Sequence, residues 1–261
     1  MIFCCCGNGK TRCIAGHWSQ MLGQELIELR GKWLTDTGSC RIDIPHGEDV
    51  IWMFPVYSWG VPPAVRDFIR DIKLQADADT CHHMVVTMGD DSGLTDKMWR
   101  KLMAGRGWTS ASAQGVIMPN TYTLMKGFDV DNPDVARHKL HQAMKALPSV
   151  ADTIRSRKCV TSIHLGSFAW IKSRIIYPWF VKYAVTPHKF PAQDCIGCGR
   201  CVQVCPMDNI TLNDSAPYSP TWGDRCAICL GCYNVCSRHA IEYSSATADK
   251  GQYHYIPDLA D

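Results

Sequence analysis

The sequence predicts an α/β domain built on a doubly wound parallel sheet, followed by a small cysteine-rich α+β domain. Two observations lead to this prediction. Over residues 1–154, short apolar runs alternate with stretches of helical periodicity, whereas residues 191–261 are rich in cysteines and turn-forming residues. Strands that alternate with helices imply a parallel sheet with helices on both faces. Fifteen cysteines are also many for a chain of 261 residues.

The first domain is expected to contain five strands with helices between them. Pro62 and Pro133 suit the first turn of a helix. The expected strands are Ile2–Cys5, Cys40–Ile44, Val50–Phe54, His83–Thr87 and Gly115–Met118, and the expected helices are Thr11–Leu29, Pro62–Ile72, Leu94–Ala104 and Pro133–Leu147. Five such strands fit a flavodoxin-like doubly wound sheet, which binds its ligand at the carboxyl ends of the strands.

Charge divides the chain into three parts. Residues 1–154 carry a net charge of −1, residues 155–189 carry +7 without any acidic residue, and residues 190–261 carry −4. We therefore expect a flavodoxin-like domain at 1–154, a basic and aromatic connector at 155–190, and a second domain at 191–261, with the boundary near Pro187–Pro191. The most hydrophobic stretch, Ile163 to Val185, contains charged residues and a proline, so no transmembrane span is predicted.

Eight cysteines fall into two runs with the spacing C-x2-C-x2-C-x3-C. The runs are Cys195, Cys198, Cys201 and Cys205, and Cys226, Cys229, Cys232 and Cys236. This spacing is typical of bacterial two-cluster ferredoxins, in which the fourth cysteine of each run binds the other [4Fe-4S] cluster. The expected ligand sets are therefore Cys195, Cys198, Cys201 and Cys236 for one cluster, and Cys226, Cys229, Cys232 and Cys205 for the other. Gly197, Gly199 and Gly231 are expected to let the backbone approach the sulfurs.

A structural zinc site is the alternative, but such sites use two C-x2-C pairs rather than a triplet with a distant fourth cysteine, repeated twice. The second run has Ser237 where proline usually follows the fourth cysteine. The other cysteines have no ligand spacing and are expected to be small buried side chains or ordinary thiols: Cys4, Cys5, Cys6, Cys13, Cys40, Cys81 and Cys159.

A glycine-containing loop, residues 6–12, joins the first expected strand to the first helix. Backbone N–H groups at such a turn can hold a phosphate. Three interpretations stay open: an FMN phosphate loop, a Walker A loop that matches only at Gly9, Lys10 and Thr11, and a loop without a ligand. The candidate phosphate-binding residues are Cys6, Asn8, Gly9, Lys10 and Thr11.

Two later strand ends favour a flavin. The loop after the third strand offers aromatic faces and carries Pro55, Tyr57 and Trp59, and the loop after the fourth strand carries Thr87, Gly89 and Asp90. Three loops at the carboxyl edge of one sheet would converge on one ligand. We therefore predict FMN binding at this edge.

The chain resembles the fused flavodoxin–ferredoxin ("ferrodoxin") family, found mainly in anaerobic bacteria and archaea. The matching segments are Cys6–Ala15, Phe54–Pro62, Val86–Gly89, Met118-Pro119-Asn120 and Asp194 to Tyr255, which includes Trp222-Gly223-Asp224. The family's phosphate loop usually reads S-G-T-G-N-T, so Gly7, Gly9 and Thr11 match, whereas Cys6, Asn8 and Lys10 replace two hydroxyl residues and an asparagine. The resemblance implies a redox module with FMN and two clusters.

The basic segment interleaves aromatic side chains with its charges. Its members are Arg155, Arg157, Lys158, Lys172, Arg174, Lys182 and Lys189, with Trp170, Tyr177, Trp179, Phe180 and Tyr183. We expect a connector that packs its aromatics between the two domains. A membrane-surface helix and a docking site for an acidic redox partner are the alternatives, and nucleic acid is not an expected partner because the chain has no binding motif.

Together these features predict a cytoplasmic electron carrier with two [4Fe-4S] clusters and FMN, which exchanges electrons with redox partner proteins. Met1 leads directly into a strand-like run, without the features of a secretory signal. Two alternatives remain: a flavin-dependent oxidoreductase that reduces a small substrate, and a cluster protein with an empty flavodoxin-like domain. No set of His, Lys or carboxylate residues marks a substrate pocket, so the sequence favours an electron carrier or redox module over a stand-alone enzyme.

Overall fold

A six-stranded parallel sheet forms the centre of the N-terminal part. The computed structural model describes residues 1–184 and 194–254, so the predicted boundary at Pro187–Pro191 and Lys189 lie outside the described residues. The strands are β1 (Ile2–Cys4), β2 (Leu26–Glu28), β3 (Arg41–Asp43), β4 (Val50–Pro55), β5 (Lys73–Gln75), β6 (Cys81–Met88), β7 (Thr109–Ile117), β8 (Thr161–Ser162), β9 (Ile210–Leu212) and β10 (Pro220–Trp222).

The main sheet has the order β2-β1-β4-β6-β7-β8, with every neighbouring pair parallel. Without its last strand, this is the flavodoxin-like order 2-1-3-4-5. The predicted α/β class is therefore confirmed, but the sheet has six strands rather than five. The added strand, β8, pairs Thr161 with Ala113 and Ser162 with Gln114, so the sheet continues past the predicted domain end at residue 154.

Helices lie between the strands. They are α1 (Lys10–Leu22), α2 (Lys32–Thr35), α3 (Pro63–Asp71), α4 (Thr95–Gly105), α5 (Pro133–Arg155), α6 (Ala169–Ile171), α7 (Tyr177–Trp179), α8 (Arg200–Val204) and α9 (Gly231–Val235), with 3-10 turns at Thr37–Ser39 and Ser244–Ala246. The π-helical stretches Lys172–Ile176 and Phe180–Ala184 join α6 and α7 into one helical segment.

The second strand of the main sheet was predicted wrongly. The helix expected at Thr11–Leu29 ends at Leu22, because Gly23 adopts a left-handed conformation (φ 64°) and its N–H caps the carbonyl of Ser19. The chain then turns back, and Leu26–Glu28 pairs with β1 as β2.

Three other boundaries also differ from the prediction. The run Cys40–Ile44 does form a strand, β3, but this strand pairs with β5 in a separate two-stranded parallel sheet. Strand β7 begins at Thr109 rather than Gly115. The prediction missed its first half because that half consists of Thr, Ser, Ala and Gln instead of β-branched apolar residues. Helix α5 continues through Pro148 to Arg155 instead of ending at Leu147.

Two hydrophobic cores cover the two faces of the sheet. Along β4, Trp52 and Phe54 face one core, and Ile51 and Met53 face the other, as the two-residue period of a strand requires. The first core includes Phe68 from α3 and Trp99 from α4, and the second includes Trp18 from α1 and Leu140 from α5. Each face is therefore covered by a pair of helices.

The C-terminal part packs onto the carboxyl edge of this sheet. Its own core contains Ile210, Trp222 and Tyr233, with Tyr122 from the N-terminal part packed against it. Met207 belongs to the first core of the N-terminal part. The N–H of Gly31 donates to Pro206 O at 2.8 Å, and Arg30 donates to Gln203 O at 2.7 Å. Apolar packing and hydrogen bonds thus join the two parts.

The described part of the basic segment contributes the last residue of α5, strand β8 and the helical segment α6–α7. Of its aromatic side chains, Tyr177 and Phe180 are buried, but Trp170, Trp179 and Tyr183 are at least half exposed. The prediction that all five pack between the domains is therefore wrong for these three. Within the described residues, no helix combines the length and apolarity that crossing a membrane requires.

Candidate functional site

The eight cysteines of the two runs surround two cavities in the C-terminal part. One cavity is lined by Cys195, Cys198, Cys201 and Cys236, and the other by Cys205, Cys226, Cys229 and Cys232. The structure thus brings together three cysteines of one run with the fourth cysteine of the other, twice. In residues 1–184 and 194–254, no three His, Cys, Asp or Glu side chains converge on a single-ion site.

The two runs share one backbone conformation although their residues differ. Gly197 and Gly199 of the first run have φ of 71° and 69°, and the corresponding Ile228 and Leu230 of the second run have φ of 49° and 58°. Such positive values are uncommon for residues other than glycine and cost about 1–3 kcal/mol. The second run keeps this strained conformation with bulky apolar side chains that are almost fully buried.

Backbone N–H groups point at the cysteine sulfurs. Asn209 N and Gly231 N lie 3.4 Å from the Sγ atoms of Cys205 and Cys229, and Ala240 N lies 3.3 Å from Cys236 Sγ. Such donors stabilise thiolate ligands and tune the potential of a cluster. Burial raises the pKa of Cys229 to about 12, so the free thiol keeps its proton near neutral pH. A metal that binds this sulfur must displace the proton. Four thiols around each cavity, with N–H donors to sulfur, fit a cubane cluster.

A larger cavity of about 410 Å³ lies at the carboxyl edge of the main sheet, within the size range of ligand pockets. It brings together the candidate residues from all three predicted loops. These lining residues are Cys6, Asn8, Lys10, Thr11, Pro55, Tyr57, Trp59, Thr87, Gly89 and Asp90. Only Gly9 of the predicted set is placed elsewhere among the described cavities, in the wall of a neighbouring cavity together with Arg12, Arg30 and Arg200.

The loop after β4 presents Trp59 to this cavity from a fixed turn. Tyr57 and Gly60 exchange backbone hydrogen bonds of 3.0 and 3.1 Å. Ser58 and Trp59 between them both have positive φ, 45° and 61°, as in a two-residue type I′ turn. The helical segment supports the turn, because Ser173 Oγ donates to Trp59 O at 2.8 Å and the Lys172 ammonium lies 5.1 Å from the Trp59 ring.

Lys10 is less available as a cation than the sequence predicted. Its Nζ is 2.5 Å from Pro119 O and 3.1 Å from Thr121 Oγ1, to which it donates. Burial lowers the pKa of Lys10 to about 7, so part of the population is neutral near neutral pH. Lys10 ties the first loop to the loop after β7, and a negative charge placed beside it would favour its charged form.

The loop of residues 6–12 touches the second cysteine run directly. A Cβ atom added at Gly7 would lie 2.6 Å from Cys229 Cβ and 2.8 Å from its Sγ, and one added at Gly231 would lie 2.5 Å from Gly7 O. Gly231 is thus needed for this close approach. Gly197 combines positive φ with a similar approach, because an added Cβ would lie 2.6 Å from the Tyr218 ring, whereas Gly199 has positive φ and open space around it. Ile228, Cys229 and Leu230 consequently form one wall of the large cavity.

Several residues of the cavity were missed by sequence reasoning. The loop after β7 contributes Thr121 and Tyr122, and the helical segment contributes Lys172 and Phe180. Because ligands bind at the carboxyl ends of parallel strands, the loop after β7, where the Met118-Pro119-Asn120 segment begins, could also have been predicted to line the cavity. Nothing local marks the residues of the helical segment or of the cysteine run, since they are far away in the sequence.

The cavity wall also contains polar atoms without partners. Asn8 Oδ1 and Asp91 Oδ1 are buried and have no hydrogen-bond partner in residues 1–184 and 194–254, although both residues line the cavity. Buried polar atoms are normally satisfied, by ligand or water where the protein offers nothing. Aromatic faces from Trp59, Tyr122 and Phe180 accompany them. The residues present therefore fit a planar, polar-edged ring such as a flavin.

Comparison with known proteins supports the iron–sulfur assignment of the C-terminal part. A family model described as "4Fe-4S dicluster domain" matches residues 192–241. Searches of curated proteins and of solved structures return no match to the chain. The C-terminal part is thus ferredoxin-like, and the match supports iron–sulfur clusters and a role in electron transfer.

Proposed function

We propose that the protein transfers electrons between partner proteins and FMN bound in the large cavity, using two [4Fe-4S] clusters. The observation that carries this proposal is the contact between Gly7 and Cys229. A loop at the ligand-binding edge of the sheet packs against a candidate cluster ligand, and the same cysteine lines the cavity. When bound, the clusters supply single-electron transfer, and the flavin couples paired and single electrons.

The proposed ligand sets are the two crossed sets that surround the small cavities. Cys195, Cys198 and Cys201 with Cys236 would hold the outer cluster, since Cys198 is exposed. The second set would hold the inner cluster, because the buried Ile228 and Leu230 separate it from solvent. Redox partners would approach the outer set, whereas the inner set adjoins the large cavity.

The chain's own residues would bind and orient the flavin. Trp59, fixed in its turn, offers a ring face, and Lys10 and Asn8 offer polar contacts to a phosphate or to the ring edge. Phe180 lines the cavity from the helical segment and would shield a bound ring from water on that side. We propose no separate substrate pocket, so the protein acts as a redox module that passes electrons onward.

The crossed ligand sets can be tested by iron and sulfide analysis of protein purified without oxygen. The wild type should hold about eight irons per chain. Cys198→Ala should leave about four, and adding Cys236→Ala, from the same set, should cost no further iron. Adding Cys205→Ala to Cys198→Ala should remove nearly all iron, since this pair affects both sets.

If instead Cys198→Ala/Cys236→Ala lost nearly all iron and Cys198→Ala/Cys205→Ala kept about four irons, each run would bind its own cluster. Zinc in place of iron and sulfide in freshly prepared protein would contradict the cluster assignment itself. Both outcomes are read from metal content alone and need no activity assay.

A further inference from the structure

Large apolar side chains are exposed on the helical segment and on Phe168, the residue before it. Phe168 is 75% exposed, Trp170 62% and Trp179 60%, and Ile171 and Ile175 are also exposed. Ile171, Ile175 and Trp179 follow one another at a spacing of four residues, which places them on one side of a helix. A contiguous exposed apolar surface of this kind marks an interaction site.

The opposite face of the same segment is fixed to the protein. Ser173, Tyr177 and Phe180 are buried. Ser173 Oγ accepts from Leu94 N at 2.7 Å, and the Tyr177 hydroxyl donates to Val61 O at 2.5 Å. The segment is therefore held in place, and its apolar residues form a preformed outer face.

The charged side chains of the helical segment all have the same sign. Its charged residues are Lys172, Arg174 and Lys182, and it contains no acidic residue. Lys172 is paired with Asp91 at 2.6 Å, whereas Arg174 and Lys182 are exposed beside the apolar face. Aromatic and aliphatic side chains flanked by basic ones are the composition of helices that lie in the headgroup region of anionic membranes.

We propose that this outer face docks the protein on an anionic lipid surface. The face points away from the large cavity, which the buried Phe180 lines from the other side of the helix. A redox protein has a more direct docking place at the outer cysteine set, where Cys198 is exposed. A second copy of the chain would bring the Arg174 and Lys182 patches together across a twofold axis, which like charges oppose.

The proposal can be tested with the full-length protein, purified without oxygen. Co-sedimentation is measured with vesicles of phosphatidylcholine containing phosphatidylglycerol and with vesicles of phosphatidylcholine alone. The wild type should bind the anionic vesicles far better, with a blue shift of its tryptophan emission. Arg174→Gln with Lys182→Gln should weaken this binding roughly 30-fold, since each basic residue near an anionic surface contributes about fivefold.

Matched variants separate this face from general surface properties. Trp170→Ser with Trp179→Ser should reduce vesicle binding strongly, whereas Met21→Ser with Val135→Ser, at exposed apolar positions elsewhere, should not. Lys101→Gln with Lys145→Gln removes the same charge from exposed sites on α4 and α5 and should have little effect. Iron content, equal in all variants, shows that they are folded.

Two results would overturn the proposal. One is equal sedimentation of the wild type and of the Trp170→Ser/Trp179→Ser variant with anionic vesicles. The other is a dimer of the wild type in sedimentation analysis that the same substitutions abolish, which would assign the face to a second copy. Neither result bears on iron or flavin content, so the proposed function is tested separately.

Discussion

Gly7→Ala should damage the inner cluster site and leave the outer one intact. The new methyl carbon would lie 2.6 Å from Cys229 Cβ and 2.8 Å from Cys229 Sγ, whereas carbon atoms prefer a separation of about 3.5–4.0 Å. Cys229 or the loop must therefore move by roughly 1 Å, and metal–ligand distances tolerate only about 0.2 Å. Gly7 is not in the left-handed region, so the effect is steric and not a backbone penalty.

The expected destabilisation is about 1–3 kcal/mol, as for overpacking in a close-packed core. In protein purified without oxygen, iron should fall from about eight toward about four per chain. Gly16→Ala is the matched control, because nothing lies within 4 Å of a Cβ at this helical position and alanine favours the helix by about 1 kcal/mol. Full iron content in Gly7→Ala, with a wild-type cluster spectrum, would refute the contact between the loop and the cluster ligand.

Two predictions concern titrating side chains. A bound phosphate raises the pKa of Lys10 from about 7, so binding favours the charged amine and weakens as the amine loses its proton. FMN affinity of the full chain should therefore fall about tenfold or more between pH 7 and pH 9. Lys10→Gln should bind FMN with little pH dependence in fluorescence titrations. Buried His82 has its pKa lowered from 6.5 to about 4, chiefly by burial. Because the unfolded chain takes up this proton first, the contribution of His82 to stability should fall by about 2 kcal/mol between pH 7 and pH 5. The urea midpoint of His82→Phe should fall less over the same pH range than that of the wild type. Equal falls in the two proteins would contradict the assignment of this pH dependence to His82.

The C-terminal part could be predicted well because its signal is local. The spacing of Cys195, Cys198 and Cys201 predicts a loop around one cavity. The crossed ligation of two-cluster ferredoxins then predicts Cys236 as the fourth ligand. Element boundaries in the N-terminal part depended on weaker signals. Gly23 ends α1 earlier than the apolar pattern suggests, and the small residues that begin β7 have no strand periodicity.

The large cavity could be predicted only in part. The loops after β1, β4 and β6 converge because parallel strands end at the same edge of a sheet. Phe180 and Cys229 reach the cavity through the docking of distant segments, which no local pattern encodes. The burial that lowers the pKa of Lys10 likewise results from tertiary packing, so the sequence overstated its charge.

Equilibrium titration of the full chain with FMN tests the central claim most directly. The full chain is needed, since residues 1–150 alone lack the walls formed by Lys172, Phe180 and Cys229. We predict quenching of flavin fluorescence that saturates at one FMN per chain in the micromolar range, and partial relief of the quenching in Trp59→Ala. Unchanged flavin fluorescence with protein at tens of micromolar, with both clusters present, would contradict the account and leave the N-terminal part as a scaffold for the clusters.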